Sequence, residues 1–385
     1  MKKTVNYISL LFLIITLSCV EEYNAATLEF EDAIVIEASI TNEFKFQKIL
    51  LSRSYRLEEN VPTTESGANV KITSSSSIEY TFHETDPGVY LSDVQFSAQP
   101  DINYQLFVST RNGREYSSQP TELTGSSSVI EDVYAIRETS EDGVDGIAIY
   151  VDSFDPANSS RYYGYEYEET YQIIAPRWVP DGFIIVSQDP WEVIIGPRIQ
   201  EEQFCYQTNN SLGRLTVNTS LLSEDRISKF QIKFIPLDDL RISSRYSILL
   251  KQHTQSAQAY NFYKTLNELS TSESLLSQSQ PGFLAGNISS IHNPNEKVIG
   301  FFEASSIAEK RVFFNRSDFT DKFFFEDWFC LKPFLSGVPS SPYRLRRVSY
   351  FDGTDDPFSS LRVVLRACGD CTYFAPNIRP SFWVD

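Results

Sequence analysis

The chain has 385 residues and carries 33 Lys and Arg against 51 Asp and Glu, a formal net charge of -18. That balance lacks the clustered cationic excess that a phosphate backbone demands, which argues against nucleic acid as a partner. Hydrophobic residues at 41% and aromatics at 14%, including 28 Phe and 21 Tyr, supply a packed core and exclude wholesale disorder, so the length predicts two domains or one large β domain.

Lys2 and Lys3 precede an apolar run from Tyr7 to Leu17, interrupted by Ser9 and Thr16 and ending at Leu17-Ser18-Cys19. A charged start, a short apolar stretch and small residues at its end form the layout of a secretory signal. The run is about half of the roughly 20 residues that a bilayer-spanning helix needs, so residues 1–18 are expected to be removed. Cys19, where an A-x-A site would otherwise stand, reads as the lipidated first residue of a bacterial lipoprotein, followed by a tether over 19–27; Thr16 departs from the Leu usual in that motif. Glu21 and Glu22 read as a signal for export to the outer face of the outer membrane. Diacyl anchoring would hold the protein durably to the membrane.

Residues 28–124 read as short strands separated by turns, over 33–40, 48–55, 68–73, 77–82, 88–96, 104–108 and 114–118. Asp86-Pro87-Gly88 and Asn112-Gly113 mark the tightest turns. About seven strands in roughly 95 residues, without the Cys-Trp-Cys pattern of antibody domains, predict an immunoglobulin-like β-sandwich. The Ser-rich stretch 124–128 is the expected linker. Residues 129–385 then predict a larger, mostly-β domain. Within it Tyr163, Tyr165, Tyr167 and Tyr171 fall on one face of a strand, with Glu166 and Glu168 on the other. The main helix is placed near 256–269, where Ala259, Phe262, Tyr263, Leu266 and Leu269 recur at helical spacing behind Thr254 or Ser256 as cap.

With Cys19 assigned to lipid, Cys205, Cys330, Cys368 and Cys371 remain as disulfide candidates, with three pairings open. Cys368-Gly369-Asp370-Cys371 is a C-x-x-C, but it lacks the second ligand pair of a zinc site, and the prolines behind it break the strand-helix frame of a redox motif. The three His form no H-E-x-x-H pair, and G-x-S-x-G, P-loop and G-x-G-x-x-G motifs are missing, so no enzyme, cofactor or metal centre is expected. Two acidic turns, 141–146 and 352–356, do not fit the EF-hand spacing and read as solvated. Trp178, Trp191 and the stripe Tyr163, Tyr165, Tyr167 read either as core packing or as a contact platform for a small molecule, peptide or glycan. The segment 177–199, with three prolines among aromatics and aliphatics, is the best candidate for an exposed contact loop.

Several stretches in combination resemble domain-of-unknown-function family 4249. They are Leu51-Ser52-Arg53-Ser54, Gly67-Ala68-Asn69-Val70, Tyr246 to Gln252, Gly286-Asn287-Ile288, Asn293 to Ser305, the C-x-x-C and Pro380-Ser381-Phe382-Trp383, which together span essentially the whole chain from Cys19. The resemblance implies a Bacteroidota outer-membrane lipoprotein encoded beside a TonB-dependent receptor, and hence an accessory substrate-binding or capping subunit in nutrient uptake. It brings no catalytic residues and no established ligand. A structural or adhesive envelope lipoprotein is the alternative expectation.

Overall fold

A computed structural model describes residues 33–54, 63–125, 128–271, 284–322, 324, 330, 334–336, 338–352 and 361–384. Cys19, Glu21 and Glu22, and all but the first residue of the acidic turn 352–356, lie outside them.

The chain is mainly β. Its first strands are β1 (Ile34–Thr41), β2 (Lys48–Arg53), β3 (Asn69–Ser74), β4 (Glu79–Asp86), β5 (Val89–Ser92), β6 (Asn103–Ser109), β7 (Glu115–Ser118) and β8 (Thr121–Thr124). A second series follows: β9 (Val129–Thr139), β10 (Asp145–Phe154), β11 (Tyr162–Ile174), β12 (Asp181–Gln188), β13 (Trp191–Pro197), β14 (Phe204–Asn210), β15 (Leu215–Asn218), β16 (Arg226–Pro236) and β17 (Arg245–Gln255). Helix α1 (Ala257–Thr271) leads to β18 (Ile288–Ser290), β19 (Val298–Ser305) and β20 (Ile307–Asn315). The last elements are β21 (Phe334–Ser336), α2 (Pro342–Leu345), β22 (Val348–Asp352), β23 (Leu361–Leu365) and α3 (Arg366–Gly369).

The predicted N-terminal strands form, and both turns join hairpins, Asp86 to Gly88 between β4 and β5 and Asn112-Gly113 between β6 and β7. Their assembly differs from the immunoglobulin-like sandwich expected over 28–124. The strands run β6-β3-β4-β5-β2-β1-β19-β8, and β8 pairs back with β6, so eight strands close a barrel while β7 and β18 hang from β6. Closure removes the unpaired edges that a sandwich would leave. It needs β19, which arrives from far along the chain and lies parallel to both β1 and β8. The boundary at 124 therefore does not enclose this sheet.

Alternation along each strand fills the barrel: Ile34, Ile36, Ala38 and Ile40 from β1 meet Ile49, Leu51, Val70, Ile72, Tyr104, Leu106 and Val108. β19 is buried on both faces. Val298, Phe302 and Ala304 point into the barrel, whereas Phe301, Glu303 and Ser305 face α1 and the second series of strands. Beside it, a Cβ on Gly286 would lie 1.6 Å from the carbonyl oxygen of Gly300, which is why glycine occupies that position. Asn287, next to it, both donates to the carbonyl of Phe302 and accepts from its N–H at 2.7 Å.

Two stacked layers do occur, in the second series of strands. The sheet β16-β10-β9 packs on β14-β11-β17-β20, with β15 extending alongside β11. Ile147, Ile149 and Val151 of one layer and Tyr163, Tyr165, Tyr246, Ile248 and Leu250 of the other share this core. Helix α1 forms where predicted: the Ser256 hydroxyl caps it by accepting from the Ala259 N–H at 3.1 Å, and Ala259 and Phe262 bury against Phe301.

Two disulfides, Cys205–Cys371 and Cys330–Cys368, tie the C-terminal segment down. The C-x-x-C is thus divided between two bridges, a structural rather than a redox use. Beyond it the tail folds over the outer face of the second layer, where Trp383 meets Tyr206 and Phe313 edge-on and the Arg311 guanidinium stacks 3.5 Å from the Phe382 ring centroid.

Candidate functional site

Where β11 ends, the chain turns at Ala175-Pro176-Arg177, and the ends of β17 and β20 come alongside. These ends and residues 320–330 enclose a cavity of about 850 Å³. Its apolar wall is Ile174, Pro176 and Phe324, and Ser243, Ser244, Asn315 and Thr320 add hydroxyl and amide groups. Three cations line it, Arg177, Arg316 and Lys322, against the single acid Asp321, a reversal of the charge of the whole chain.

Each cation is positioned by backbone. Arg177 donates from Nε to the Cys330 carbonyl at 3.0 Å, and its own N–H donates to the Cys368 carbonyl at 2.8 Å, so the Cys330–Cys368 bridge fixes this wall. Arg316 donates from Nε to Lys322 O at 2.8 Å and from Nη1 to Leu237 O at 2.8 Å and Ile242 O at 3.2 Å. Neither Arg316 nor Lys322 has a carboxylate partner among the described residues. Burial, with Arg137 nearby, lowers the Arg316 pKa from its ordinary value, although an arginine stays charged.

From Arg177 the chain passes into the hairpin β12–β13, a two-stranded sheet that pairs with no other strand among the described residues. This is the segment 177–199 expected as an exposed loop. It is held at one face, where Trp191 Nε1 donates to Pro339 O at 2.8 Å and Phe183 meets Tyr350 edge-on. Ile185, Val186 and Ile194 stand 42%, 53% and 47% exposed. Apolar side chains on a protruding ribbon are an uncommon use of surface unless something covers them.

The aromatic stripe goes to the core. Tyr163 and Tyr165 are 1% and 0% exposed, their hydroxyls satisfied by Asp225 at 2.6 Å and by Ser153 and Gln252, so the platform reading is corrected for both. A strand between two layers buries one face completely, and that face carries the tyrosines. Tyr167 is half-buried under the Lys233 ammonium. Trp178 packs among Ile173, Ala175 and Cys205, and Trp191 is anchored as described, so neither offers a free ring face.

A second cluster escaped the sequence reading. At the junction of barrel, second core and α1, buried Arg214 pairs with Glu303 of β19 and, at 2.9 Å, with Glu166 of β11, while its guanidinium lies 4.4 Å from the Tyr263 ring centroid. His253 is buried beside them. Its Nδ1 is 3.2 Å from Ser305 Oγ, and its Nε2 is 3.3 Å from Glu166 without hydrogen-bond alignment. Desolvation, then the Arg214 charge, holds the His253 pKa below its usual value. Burial works against ionisation of Glu166, yet Arg214 and His253 hold that carboxyl well below its usual range. Gly164 makes room: a Cβ there would lie 2.3 Å from Arg214 Cδ. Nothing local announces this cluster, because its members come from four separated segments. Among the described residues no group of His, Cys, Asp and Glu is arranged to hold a metal ion, and no helix is long and apolar enough to cross a membrane.

Among solved structures, a DUF4785 family protein from Legionella pneumophila is similar over 57% of this chain at 7% identity, with a TM-score of 0.19, a likeness too slight to carry an argument. The chain spans about half, 52%, of that protein's length. No curated protein matches it. One family model does match, over residues 20–311, a stretch that takes in the barrel, the second core and α1 but stops before the disulfide-tied C-terminal segment that the sequence resemblance had included. The chain therefore belongs to the family described as Domain of unknown function (DUF4249).

Proposed function

We propose that the protein is a lipid-anchored subunit on the outer face of the outer membrane that binds or caps substrate for a TonB-dependent receptor, working by binding rather than by catalysis. The observation that carries the reading is the β12–β13 hairpin, whose exposed Ile185, Val186 and Ile194 stand on a ribbon braced by Trp191 and Phe183. A braced ribbon loses little entropy on docking, and such apolar anchors supply most of the energy of a protein interface. The signal-like run ending at Cys19, with Glu21 and Glu22 behind it, supports the anchor and its orientation.

The test is a C-terminal tag in the native host, gentle solubilisation of outer membranes, and mass spectrometry of what co-purifies. Stoichiometric recovery of one receptor is expected. The pair Val186→Asp and Ile194→Asp should abolish that recovery while leaving the unfolding transition in place, since both side chains already face solvent. Recovery of the lipoprotein alone, with the anchor intact, would overturn the proposal.

A further inference from the structure

We infer that the cavity beside Arg316 is a ligand site for a small molecule with a carboxylate head and an apolar body. The inference rests on the substrate-binding part of the proposed function, though not on any association with a receptor.

Three observations converge. First, charge: the chain carries an excess of acids, yet the cavity lining holds Arg177, Arg316 and Lys322 against Asp321 alone. In a concave wall of low dielectric such a reversal concentrates anions. Second, an unmet cation: the Arg316 guanidinium is held by three carbonyl oxygens, which fix its plane without neutralising it, and Nη2 has no acceptor among the described residues. The lowered pKa of Arg316 expresses the same deficit, which a bound anion would relieve. Third, the opposite wall is apolar, with Ile174, Pro176 and buried Phe324, and a volume of about 850 Å³ lies within the range of small-molecule sites.

The head group follows from these neighbours. A planar carboxylate matches the fork of a guanidinium whose other edges are already occupied. A phosphate dianion would meet Asp321 in the same lining and would leave the apolar wall uncovered. Arg316 orients the head, Lys322 adds an exposed ammonium at the rim, and the Ile174–Phe324 side receives the body. The carboxylate can belong to a peptide C-terminus or to a free organic acid, two sources that share this chemistry.

The experiment uses the full chain in detergent and follows binding by calorimetry, with Trp178 fluorescence as a second readout because Trp178 packs against Ala175 in the cavity wall. The probes are N-acetyl-leucyl-phenylalanine for the peptide source and 4-phenylbutanoate for the organic acid, each beside its amide, with inorganic phosphate as a third arm. At least one acid should bind, and its amide should bind about tenfold more weakly or not at all. Arg316→Gln should weaken that acid by about tenfold or more, and Lys322→Gln by about threefold with reduced sensitivity to salt. Lys322 is exposed and its side chain supports no other element among the described residues, so its variant keeps the test meaningful if Arg316→Gln disturbs the loop. The inference is overturned if neither acid binds at about 10 mM, if the amides bind as well as the acids, or if phosphate displaces the acid at lower concentration. These outcomes are read on purified protein and are separate from receptor recovery, so either proposal can fail alone.

Discussion

Replacing Arg214 with alanine should be among the most damaging single changes in this chain, and the structure indicates by how much. The Arg214 and Glu303 side chains are 5% and 4% exposed, and Oε2 of Glu303 has no hydrogen-bond partner of its own among the described residues. Arg214→Ala therefore leaves a buried carboxylate with nothing to neutralise it, at a cost of about 3–5 kcal/mol. The lost contact with the Tyr263 ring belongs to the same figure. Because Glu303 sits in barrel strand β19 and Glu166 in β11, the loss also uncouples the two cores. Urea unfolding with disulfides intact, followed by far-UV and near-UV circular dichroism, should show a lower midpoint and a transition that broadens or divides. Arg214→Leu combined with Glu303→Leu should recover most of the loss, since no isolated charge then remains. A cost of less than about 1 kcal/mol for Arg214→Ala, or a double variant as unstable as the single one, would show the pair to be solvated and the reasoning wrong.

Gly164→Ala should destabilise by about 1–3 kcal/mol, because its new methyl displaces the Arg214 stem, and should cost much less in an Arg214→Ala background; equal costs in the two backgrounds, measured by a double-mutant cycle, would refute the coupling. Acidification should weaken the fold: a histidine or carboxylate held below its ordinary pKa contributes stability above that value and loses it as pH falls, from 6.5 downward for His253 and from 4.5 downward for Glu166. Unfolding measured at pH 7.5 and at 5 should show that fall, and His253→Gln should flatten it. Removing either bridge, by Cys371→Ala with Cys205→Ala or by Cys330→Ser with Cys368→Ser, should cost about 2–5 kcal/mol by thermal unfolding; the first pair spans 166 residues and should cost more than the second, which spans 38.

Much of the local structure was legible before any coordinates. Period-2 alternation located β1 to β7, Asp86-Pro87-Gly88 and Asn112-Gly113 located two hairpin turns, and the Ser256 cap with Ala259 and Phe262 located α1 within two residues at each end. The Tyr163 to Tyr171 stripe announced a buried face, and the even set of thiols outside Cys19 announced bridges. These signals work because turn chemistry, capping and side-chain alternation act over a few residues. Partner choice does not. Nothing in Val298 to Ser305 says that this strand will lie between β1 and β8 and close a barrel, nor does Cys371 disclose that it joins Cys205 rather than its neighbour Cys368. Arg214 meets Glu303, and Arg316 comes to face Phe324 beneath Arg177, only after strands far apart in the chain have packed, because burial and charge pairing depend on position in space. The residues that make the site are ordinary cations in an acidic sequence, and it is their enclosure by the ends of β11, β17 and β20 that sets them apart.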